Sequence, residues 1–170
     1  MTQITLYLDM DGVLCNFEKA YRAMWDEYKF DRERFREAVV NRRIFQTLEW
    51  MPNGKFFIEE IEEIADAYKL NVEMLTSTGS HRTEMRESGI EQKTLWLGNN
   101  GIPWMPNFVC AKPEKAQFAH GRAILIDDSI GCITPFIEAG GIALHHNDND
   151  YKATTMKLRW CLEELTKEYV

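Results

Sequence analysis

Two pairs of aspartates are the residues of this sequence best suited to chemistry. Asp9 and Asp11 directly follow an apolar stretch over residues 4–8, and a second apolar stretch later in the chain ends at Asp127 and Asp128. Carboxylates this close repel one another unless a cation or a proton compensates their charge. Magnesium prefers carboxylate, carbonyl and water oxygens and leaves room for substrate phosphate. The sequence therefore predicts one magnesium ion shared by Asp9 and by Asp127 or Asp128.

The first pair also suits phosphoryl transfer. Asp9 would be the nucleophile that forms an aspartyl-phosphate, and Asp11 the general acid that protonates the leaving oxygen and then activates water. Gly12 would permit the turn that brings backbone amides to the phosphate. Taken alone, the pair also fits an ordinary acid-glycine turn after a strand. The second acidic pair favours the metal site, because unpaired acids beyond a buried strand are costly.

Two further positions suit contact with a phosphate. Thr76 and Ser77 offer hydroxyl and amide groups after an apolar strand pattern, although helix capping also explains residues of this loop. Lys115 lies 12 residues before Asp127 and would compensate phosphate charge. Lys112 is the other candidate, and we favour Lys115 because it begins an amphipathic turn.

An alternation of strand and helix patterns positions these residues. Buried-strand patterns occur at residues 4–8, 71–75, 108–110, 123–126 and 142–144. Helical patterns between them predict an α/β fold, with a parallel sheet covered by helices and ligands at the carboxyl ends of the strands. The polar clusters all follow predicted strands, so one site would collect them. The helix over residues 82–99 is expected to break at Gly89.

The stretch between the first two clusters is too long for one strand-helix-strand unit. Asp11 and Thr76 lie 65 positions apart, whereas such a unit needs about 30 residues. The surplus predicts a small helical cap over residues 15–50, with two amphipathic helices from residue 17 to 43. Residues 1–14 and 51–170 would then form the α/β core.

The cap contains aromatic residues that would bind a nucleobase. Phe17, Trp25, Phe45 and Trp50 are the material for a stacking slot. Ordinary hydrophobic packing is the alternative and explains Trp25 better. We therefore select Phe17 and Phe45 as the substrate-binding pair.

Composition limits the classes of partner. The chain has 170 residues, of which 45% are hydrophobic, and a net charge of −7, which argues against affinity for extended nucleic acid. The four cysteines form no Cys/His cluster of the kind that zinc requires, and reduced thiols in a cytoplasmic protein are expected. The sequence shows neither a secretion signal nor a membrane span. The predicted partner is a small phosphate ester, and the oligomeric state is left open.

The order of the motifs resembles the haloacid dehalogenase superfamily of aspartate-nucleophile phosphatases. The motifs are Leu8-Asp9-Met10-Asp11-Gly12-Val13, Leu75-Thr76-Ser77, Lys115 and Leu125-Ile126-Asp127-Asp128. Within the superfamily, the chain is similar to the small 5′(3′)-deoxyribonucleotidases and their bacterial and phage relatives. Further similarities are Phe17 and residues 51–54, 93–97 and 140–142, so the resemblance covers nearly the whole chain.

The resemblance implies a Rossmann-like haloacid dehalogenase fold and a magnesium-dependent phosphomonoesterase of (deoxy)ribonucleoside monophosphates. It implies Asp9 as nucleophile, Asp11 as acid/base and Lys115 as charge stabiliser. Thr76 and Ser77 would bind the phosphate.

The implied magnesium ligands are Asp9, the backbone carbonyl of Asp11, and Asp128, with Asp127 in reserve. The sequence departs from the family after the last motif, where Ser129 stands instead of a basic residue. Arg82, with His81 beside it, would supply the missing charge, and the start of a surface helix explains both equally well.

Three alternatives remain open from the sequence. A phosphatase or phosphomutase for sugar phosphates would use the same motifs. A phospho-acceptor signalling domain also uses an acidic pair and a lysine, but it places the acceptor aspartate after a middle strand, where this chain has Thr76-Ser77. An inactive binding domain is the third alternative.

Overall fold

A five-stranded parallel sheet forms the centre of the protein. The computed structural model describes residues 3–25 and 31–167. Its strands are β1 (Thr5–Leu8), β2 (Asn71–Ser77), β3 (Pro106–Val109), β4 (Ala123–Asp127) and β5 (Ile142–His145). They lie in the order β3-β2-β1-β4-β5, and each neighbouring pair is parallel. The predicted α/β fold with a parallel sheet is confirmed.

The central strands are buried, which explains their apolar sequences. Leu6 and Leu8 of β1 have no exposed surface, and every residue of β4 is buried. The register places Leu8 beside Met74 of β2 and Ile126 of β4. Because the strands are parallel, the residues that follow these three positions emerge at the same edge of the sheet.

Helices flank the sheet. The described residues form α1 (Phe17–Met24), α2 (Arg32–Arg36), α3 (Gly54–Tyr68), α4 (Thr83–Asn99), α5 (Ile130–Glu138) and α6 (Tyr151–Lys167). A π-helical turn spans Glu37–Asn41, and 3₁₀ turns span Ile44–Thr47 and Lys112–Phe118. The buried residues of α3 include Phe57, Ile61 and Ile64, whose spacing makes one apolar face.

Helix α4 continues through Gly89, so the predicted break there is wrong. A Cβ on Gly89 would lie 3.3 Å from the Cβ of Thr78, in the loop after β2. Glycine therefore lets α4 pack closely against this loop. That packing offsets the helix propensity that glycine lacks, about 1 kcal/mol relative to alanine.

The segment over residues 15–50 leaves the sheet and returns to it at one point. Cys15 pairs with Trp50 in an isolated antiparallel bridge, and the Met51 N–H donates to the Leu14 carbonyl at 2.7 Å. Several of its apolar side chains join the same core as the sheet residues. Residues 26–30 of the predicted helical stretch lie outside the described residues. The division of the chain into core and cap remains a prediction.

The structure tests the predictions about membrane spans and cysteines. In the described ranges, no helix has the length and apolar character needed to cross a bilayer. All four cysteines are free thiols. The cytoplasmic location remains a prediction.

Candidate active site

Lys115 links the first and last acidic motifs. Its ammonium donates to Asp9 Oδ1 at 2.8 Å and to Asp127 Oδ2 at 2.7 Å, and 2% of its side chain is exposed. The two aspartates lie side by side because β1 and β4 are neighbours in the sheet. Burial disfavours the charged form of Lys115, but the charges of Asp9 and Asp127 outweigh burial and raise its pKa. The lysine therefore stays protonated.

Asp128 adds a third carboxylate to this group. One oxygen from each of Asp9, Asp127 and Asp128 lies within 4.8 Å of the others. Asp127 already accepts hydrogen bonds from Lys115 and from the Ser129 backbone N–H at 2.9 Å. Burial, followed by the charges of Asp9 and Asp127, raises the pKa of Asp128 to about 8. Three carboxylates thus lie close together, and the buried Lys115 pairs with two of them, Asp9 and Asp127, which leaves excess negative charge.

A divalent cation with oxygen ligands fits this group. Gly12 has a φ of +81°, and a Cβ on it would lie 2.0 Å from Asp128 Oδ2. Glycine thus leaves the space that the Asp128 carboxylate occupies. Hard oxygen donors with excess negative charge are what magnesium prefers. The magnesium ligands remain a prediction. The predicted residues are Asp9, Asp11, Asp127 and Asp128.

A second buried lysine, Lys93 of α4, holds Asp11. Its ammonium donates to Asp11 Oδ2 and Thr76 Oγ1, both at 2.7 Å, and to the Ser77 carbonyl at 2.8 Å. The Lys93 side chain has no exposed surface, and the centroid of the Phe45 ring lies 4.5 Å from its nitrogen. The Asp11 side chain therefore belongs to a different cluster from the other three aspartates.

The sequence interpretation gave Lys93 no role in the site, although its position in α4 carries a signal. Met85, Gly89 and Trp96 are buried, and they share a helical stripe with Lys93 at spacings of three and four. A charged side chain in such a stripe is costly unless it is paired. The pattern thus indicates a partner for Lys93 without revealing which one.

Asp11 has the features of a residue that carries a proton. Burial raises its pKa, the charge of Lys93 opposes this shift and the charge of Asp9 adds to it. Its Oδ1 is buried and has no hydrogen-bond partner among the described residues. A carboxyl oxygen of this kind can donate to, or accept from, a group that enters the site.

The structure separates the two predicted phosphate-binding residues of β2. Thr76 is fully buried, and its hydroxyl accepts from Lys93. Ser77 instead lines the cavity described below, together with Thr78 and Gly79. The Ser77 hydroxyl accepts from the Gly79 N–H at 3.1 Å. Ser77 is thus placed to meet a ligand, whereas Thr76 serves Lys93.

One cavity of about 890 Å³ joins the two lysine clusters. The site residues that line it are Asp9, Asp11, Lys115, Asp127 and Asp128. Its large apolar side chains are Phe17, Phe35, Phe45 and Met51. The cavity has the size of a small-molecule pocket, with charged groups and an aromatic surface in one space.

The aromatic residues of the cavity form a wall rather than a slot. Phe17 and Phe45 stack on each other with ring centroids 5.6 Å apart and planes at 29°. No space for a base therefore separates these two rings. Phe35 contacts both rings edge-on, with centroids 6.2 and 6.4 Å away. The three rings thus present an apolar surface to the cavity.

The two tryptophans of the predicted slot do not line the cavity. Trp25 packs against Tyr21 and lies under the guanidinium groups of Arg34 and Arg42. Trp50 packs against Trp96 and donates its indole N–H to Asn100 Oδ1 at 2.9 Å. Their observed contacts are those of structural packing.

The basic residues considered for the site differ in position. Arg82 is exposed just before α4 and does not line the cavity. Lys112 lines the cavity and donates to the Ser129 hydroxyl at 3.2 Å. Lys112 therefore brings positive charge to the place where the sequence lacks the basic residue of the resembled family. Lys115, rather than Lys112, contacts Asp9.

Comparison with known proteins shows the fold. Neither a protein-family model nor a curated protein matches this sequence. Two solved structures of a dehalogenase, one with an intermediate complex, are 11% and 12% identical with a TM-score of 0.54. The alignment with the first covers 89% of this chain and 90% of that chain, and the second covers 90% of each. A haloacid dehalogenase family enzyme from Bacteroides thetaiotaomicron, in complex with magnesium and inorganic phosphate, is 16% identical with a TM-score of 0.49, covering 85% and 94%. The chain has the Rossmann-like α/β fold of the haloacid dehalogenases.

Proposed function

We propose that this protein is a magnesium-dependent phosphomonoesterase that hydrolyses (deoxy)ribonucleoside monophosphates through an aspartyl-phosphate. One observation carries the proposal: three carboxylates around a buried lysine, a separately held carboxyl group and an aromatic wall all line one cavity. Nucleophile, proton donor and charge compensation are the components that this reaction requires. The fold supports the proposal as an analogy.

Asp9 is the nucleophile in this proposal. Lys115 holds its Oδ1, which leaves Oδ2 to attack phosphorus. A bond forms between this oxygen and phosphorus while the bond from phosphorus to the ester oxygen breaks. Lys115 compensates part of the charge that develops on the phosphoryl group.

Asp11 moves the protons of both steps. Its Oδ1 protonates the departing ester oxygen, and the resulting carboxylate then takes a proton from water. That water attacks the phosphorus of the aspartyl-phosphate, which releases inorganic phosphate and restores Asp9. The Ser77 hydroxyl binds a phosphate oxygen.

The proposed magnesium ligands are Asp9, the Asp11 backbone carbonyl and Asp128, with Asp127 as the alternative to Asp128. When bound, the ion would neutralise the repulsion between these carboxylates and the anionic phosphate. This assignment agrees with the charge of the group, in which the buried Lys115 pairs with Asp9 and Asp127.

A nucleoside fits the remainder of the cavity. The wall formed by Phe17, Phe35 and Phe45 offers an apolar face, and a base that stacks on an aromatic side chain gains about 1–3 kcal/mol. The net charge of −7 agrees with a small substrate rather than a nucleic-acid end. A sugar phosphate would use the charged groups without this wall.

Phosphate release from a panel of esters tests the proposal. The panel contains nucleoside 5′- and 3′-monophosphates, sugar phosphates and a 2-haloacid, each with magnesium and with EDTA. We expect magnesium-dependent release that is fastest from nucleotides and absent in Asp9→Asn. Equal rates on all phosphate esters would contradict the nucleotide assignment. Release of halide without release of phosphate would contradict the phosphatase itself.

A further inference from the structure

The ammonium of Lys93 is fully committed to three acceptors. A protonated lysine has three N–H donors, and Lys93 uses them on Asp11 Oδ2, Thr76 Oγ1 and the Ser77 carbonyl. Its side chain is buried beneath the Phe45 ring. Two of its acceptors belong to β2, a strand inside the sheet. Lys93 thereby ties the Asp11 carboxylate to a rigid element.

This tie determines which oxygen of Asp11 remains for the substrate. Lys93 holds Oδ2, and Oδ1 has no hydrogen-bond partner among the residues that the structure describes. A general acid must reach its target within hydrogen-bond distance, and small misplacements are costly. The geometry points to Lys93 as the positioning residue that presents Asp11 Oδ1 to the leaving oxygen. This role rests on the proposed function.

Two esters with different leaving groups separate positioning from a purely structural role. An alkoxide leaves a nucleoside monophosphate only with a proton from Asp11, whereas p-nitrophenolate leaves almost without one. Lys93→Met should therefore lower kcat/KM about 100-fold for the nucleoside monophosphate and less than about tenfold for p-nitrophenyl phosphate. The ratio kcat/KM is informative because it covers the steps up to departure of the leaving group.

Two variants control for the fold. Lys93→Arg keeps the charge with a different donor geometry and should recover part of the activity on the nucleoside monophosphate. Gln92→Met removes the neighbouring buried side chain, which bonds the Phe45 N–H and the Val39 carbonyl but not Asp11. Because Gln92 holds Phe45 of the aromatic wall but not Asp11, this variant shows how far a disturbed wall alone lowers kcat/KM for the nucleoside monophosphate relative to p-nitrophenyl phosphate. Lys93→Met should lower that ratio further, and an equal ratio in the two variants would overturn the positioning role. Circular dichroism checks that each variant folds.

The outcomes distinguish this role from the proposed function. Equal losses of kcat/KM on both esters in Lys93→Met would overturn the positioning role and leave the proposed function standing. If Lys93→Met does not fold, the same comparison is made with Lys93→Arg. A parent protein that releases phosphate from neither ester would contradict the proposed function and this role with it.

A second donor cluster lies beside the cavity and is independent of that reaction. One donor atom from each of His81, Cys110 and Glu114 lies within 4.8 Å of the others. The sequence predicted no Cys/His cluster of the kind that zinc requires, because these residues are distant along the chain. The fold brings them together because His81 follows β2 and Cys110 follows β3, which are neighbouring parallel strands.

Glu114 is already oriented for binding. Its Oε2 accepts from the backbone N–H groups of Cys110 and Ala111 at 2.8 and 3.1 Å, and its Oε1 lies 3.0 Å from His81 Nε2. The hydrogen bond from Cys110 contributes most to lowering the pKa of Glu114. The carboxylate is therefore charged at neutral pH and keeps one oxygen for a cation.

We infer that His81, Cys110 and Glu114 form a binding site for a borderline-soft divalent cation such as Zn²⁺. Imidazole nitrogen, thiolate sulfur and carboxylate oxygen are the ligands that zinc takes in proteins, with water in the fourth position. Binding replaces the contact between His81 and Glu114 and releases the Cys110 thiol proton to solvent. Cys110 also lines the cavity, so the ion would lie at its edge.

Cobalt(II) tests this site because a cobalt-thiolate bond has its own charge-transfer absorption. The titration is made with excess magnesium, which occupies the carboxylate cluster. We expect the band in the parent protein, its loss when zinc displaces cobalt, and its loss in Cys110→Ser. Cys132→Ala, which removes the other thiol that lines the cavity, should keep the band. Absence of the band in the parent, or its persistence in Cys110→Ser, would overturn the site.

Discussion

Two buried lysines of the candidate active site, Lys115 and Lys93, pair with clusters of different charge. The Lys115 cluster contains Lys115, Asp9, Asp127 and Asp128, so one cation faces three carboxylates. The Lys93 cluster contains Lys93, Asp11 and Thr76, so one cation faces one carboxylate. The first cluster has an excess of negative charge, and the second is balanced.

This difference separates two tasks within one cavity. In the proposed function, excess negative charge would attract a divalent cation, and through it a phosphate, to the Lys115 cluster. The balanced cluster needs no metal, and it leaves Asp11 Oδ1 unpartnered among the described residues. Phosphoryl transfer would thus occur beside Lys115, while proton transfer would depend on Lys93.

The largest effect is expected from Asp9, the proposed nucleophile of the Lys115 cluster. Asp9→Asn should lower the rate of phosphate release by about a thousandfold or more, on the scale of losing an enzyme nucleophile. Because one of three like charges is removed, the unfolding temperature should stay the same or rise. Asp66→Asn, an exposed position on α3, is the control. Full activity of Asp9→Asn would show that another group attacks phosphorus.

The lysines themselves should differ in their effect on stability. Lys115→Met leaves buried carboxylates unpaired and should lower the free energy of unfolding by about 3–5 kcal/mol. Lys93→Met should cost less, because its carboxylate partner Asp11 is 29% exposed and can be solvated. Urea titrations in EDTA measure both variants. A greater loss in Lys93→Met would reverse the comparison.

The aromatic wall beside Lys93 should affect substrate choice more than stability. Phe17→Leu keeps an apolar side chain but removes a stacking surface, so KM for a nucleoside monophosphate should rise about tenfold. KM for ribose 5-phosphate should not change, because this ester has no base. Initial rates on both esters provide the measurement. Equal changes in the two KM values would argue against stacking.

A further expected effect is a pH dependence centred on the Lys115 cluster. The pKa of Asp128 is about 8 in the fold and about 3.9 in an unfolded chain. Between these values the folded state binds more protons, so in EDTA the free energy of unfolding should fall as pH rises from about 4 to 8.

Two substitutions sharpen this test. Asp128→Asn should reduce the fall in unfolding free energy between pH 5 and 8, measured by urea titration at each pH. Asp11→Asn should reduce it less, because Lys93 opposes the effect of burial on Asp11. If the unfolding free energy of Asp128→Asn depends on pH as in the parent protein, Asp128 is not the group whose pKa is raised.

The strands and the acidic motifs were predictable because each is a local pattern. A buried strand such as β4 is a continuous apolar run, and its end is marked by Asp127 and Asp128. Parallel strand order then brings the polar ends to one edge. The continuous α4 was not predictable, because it depends on the packing of Gly89 against Thr78, and the local pattern does not show how the helix lies on this loop.

The partners of the buried lysines were harder to predict from the sequence. Lys115 was selected by its place in the motif order, and the structure joins it to Asp9 and Asp127. Lys93 was missed because its contact with Asp11 spans 82 residues and depends on how α4 lies over the sheet. The same contact explains why Thr76 faces a lysine instead of the cavity.

Chemical trapping of the covalent intermediate tests the central claim most directly. The protein is mixed with magnesium and a nucleoside monophosphate, quenched within one turnover and treated with borohydride, which reduces an acyl phosphate to an alcohol. Peptide mass spectrometry should then find homoserine at position 9 and unmodified aspartate at positions 11, 127 and 128. Phosphate release with no reduction at position 9, or with reduction at another aspartate, would contradict the account.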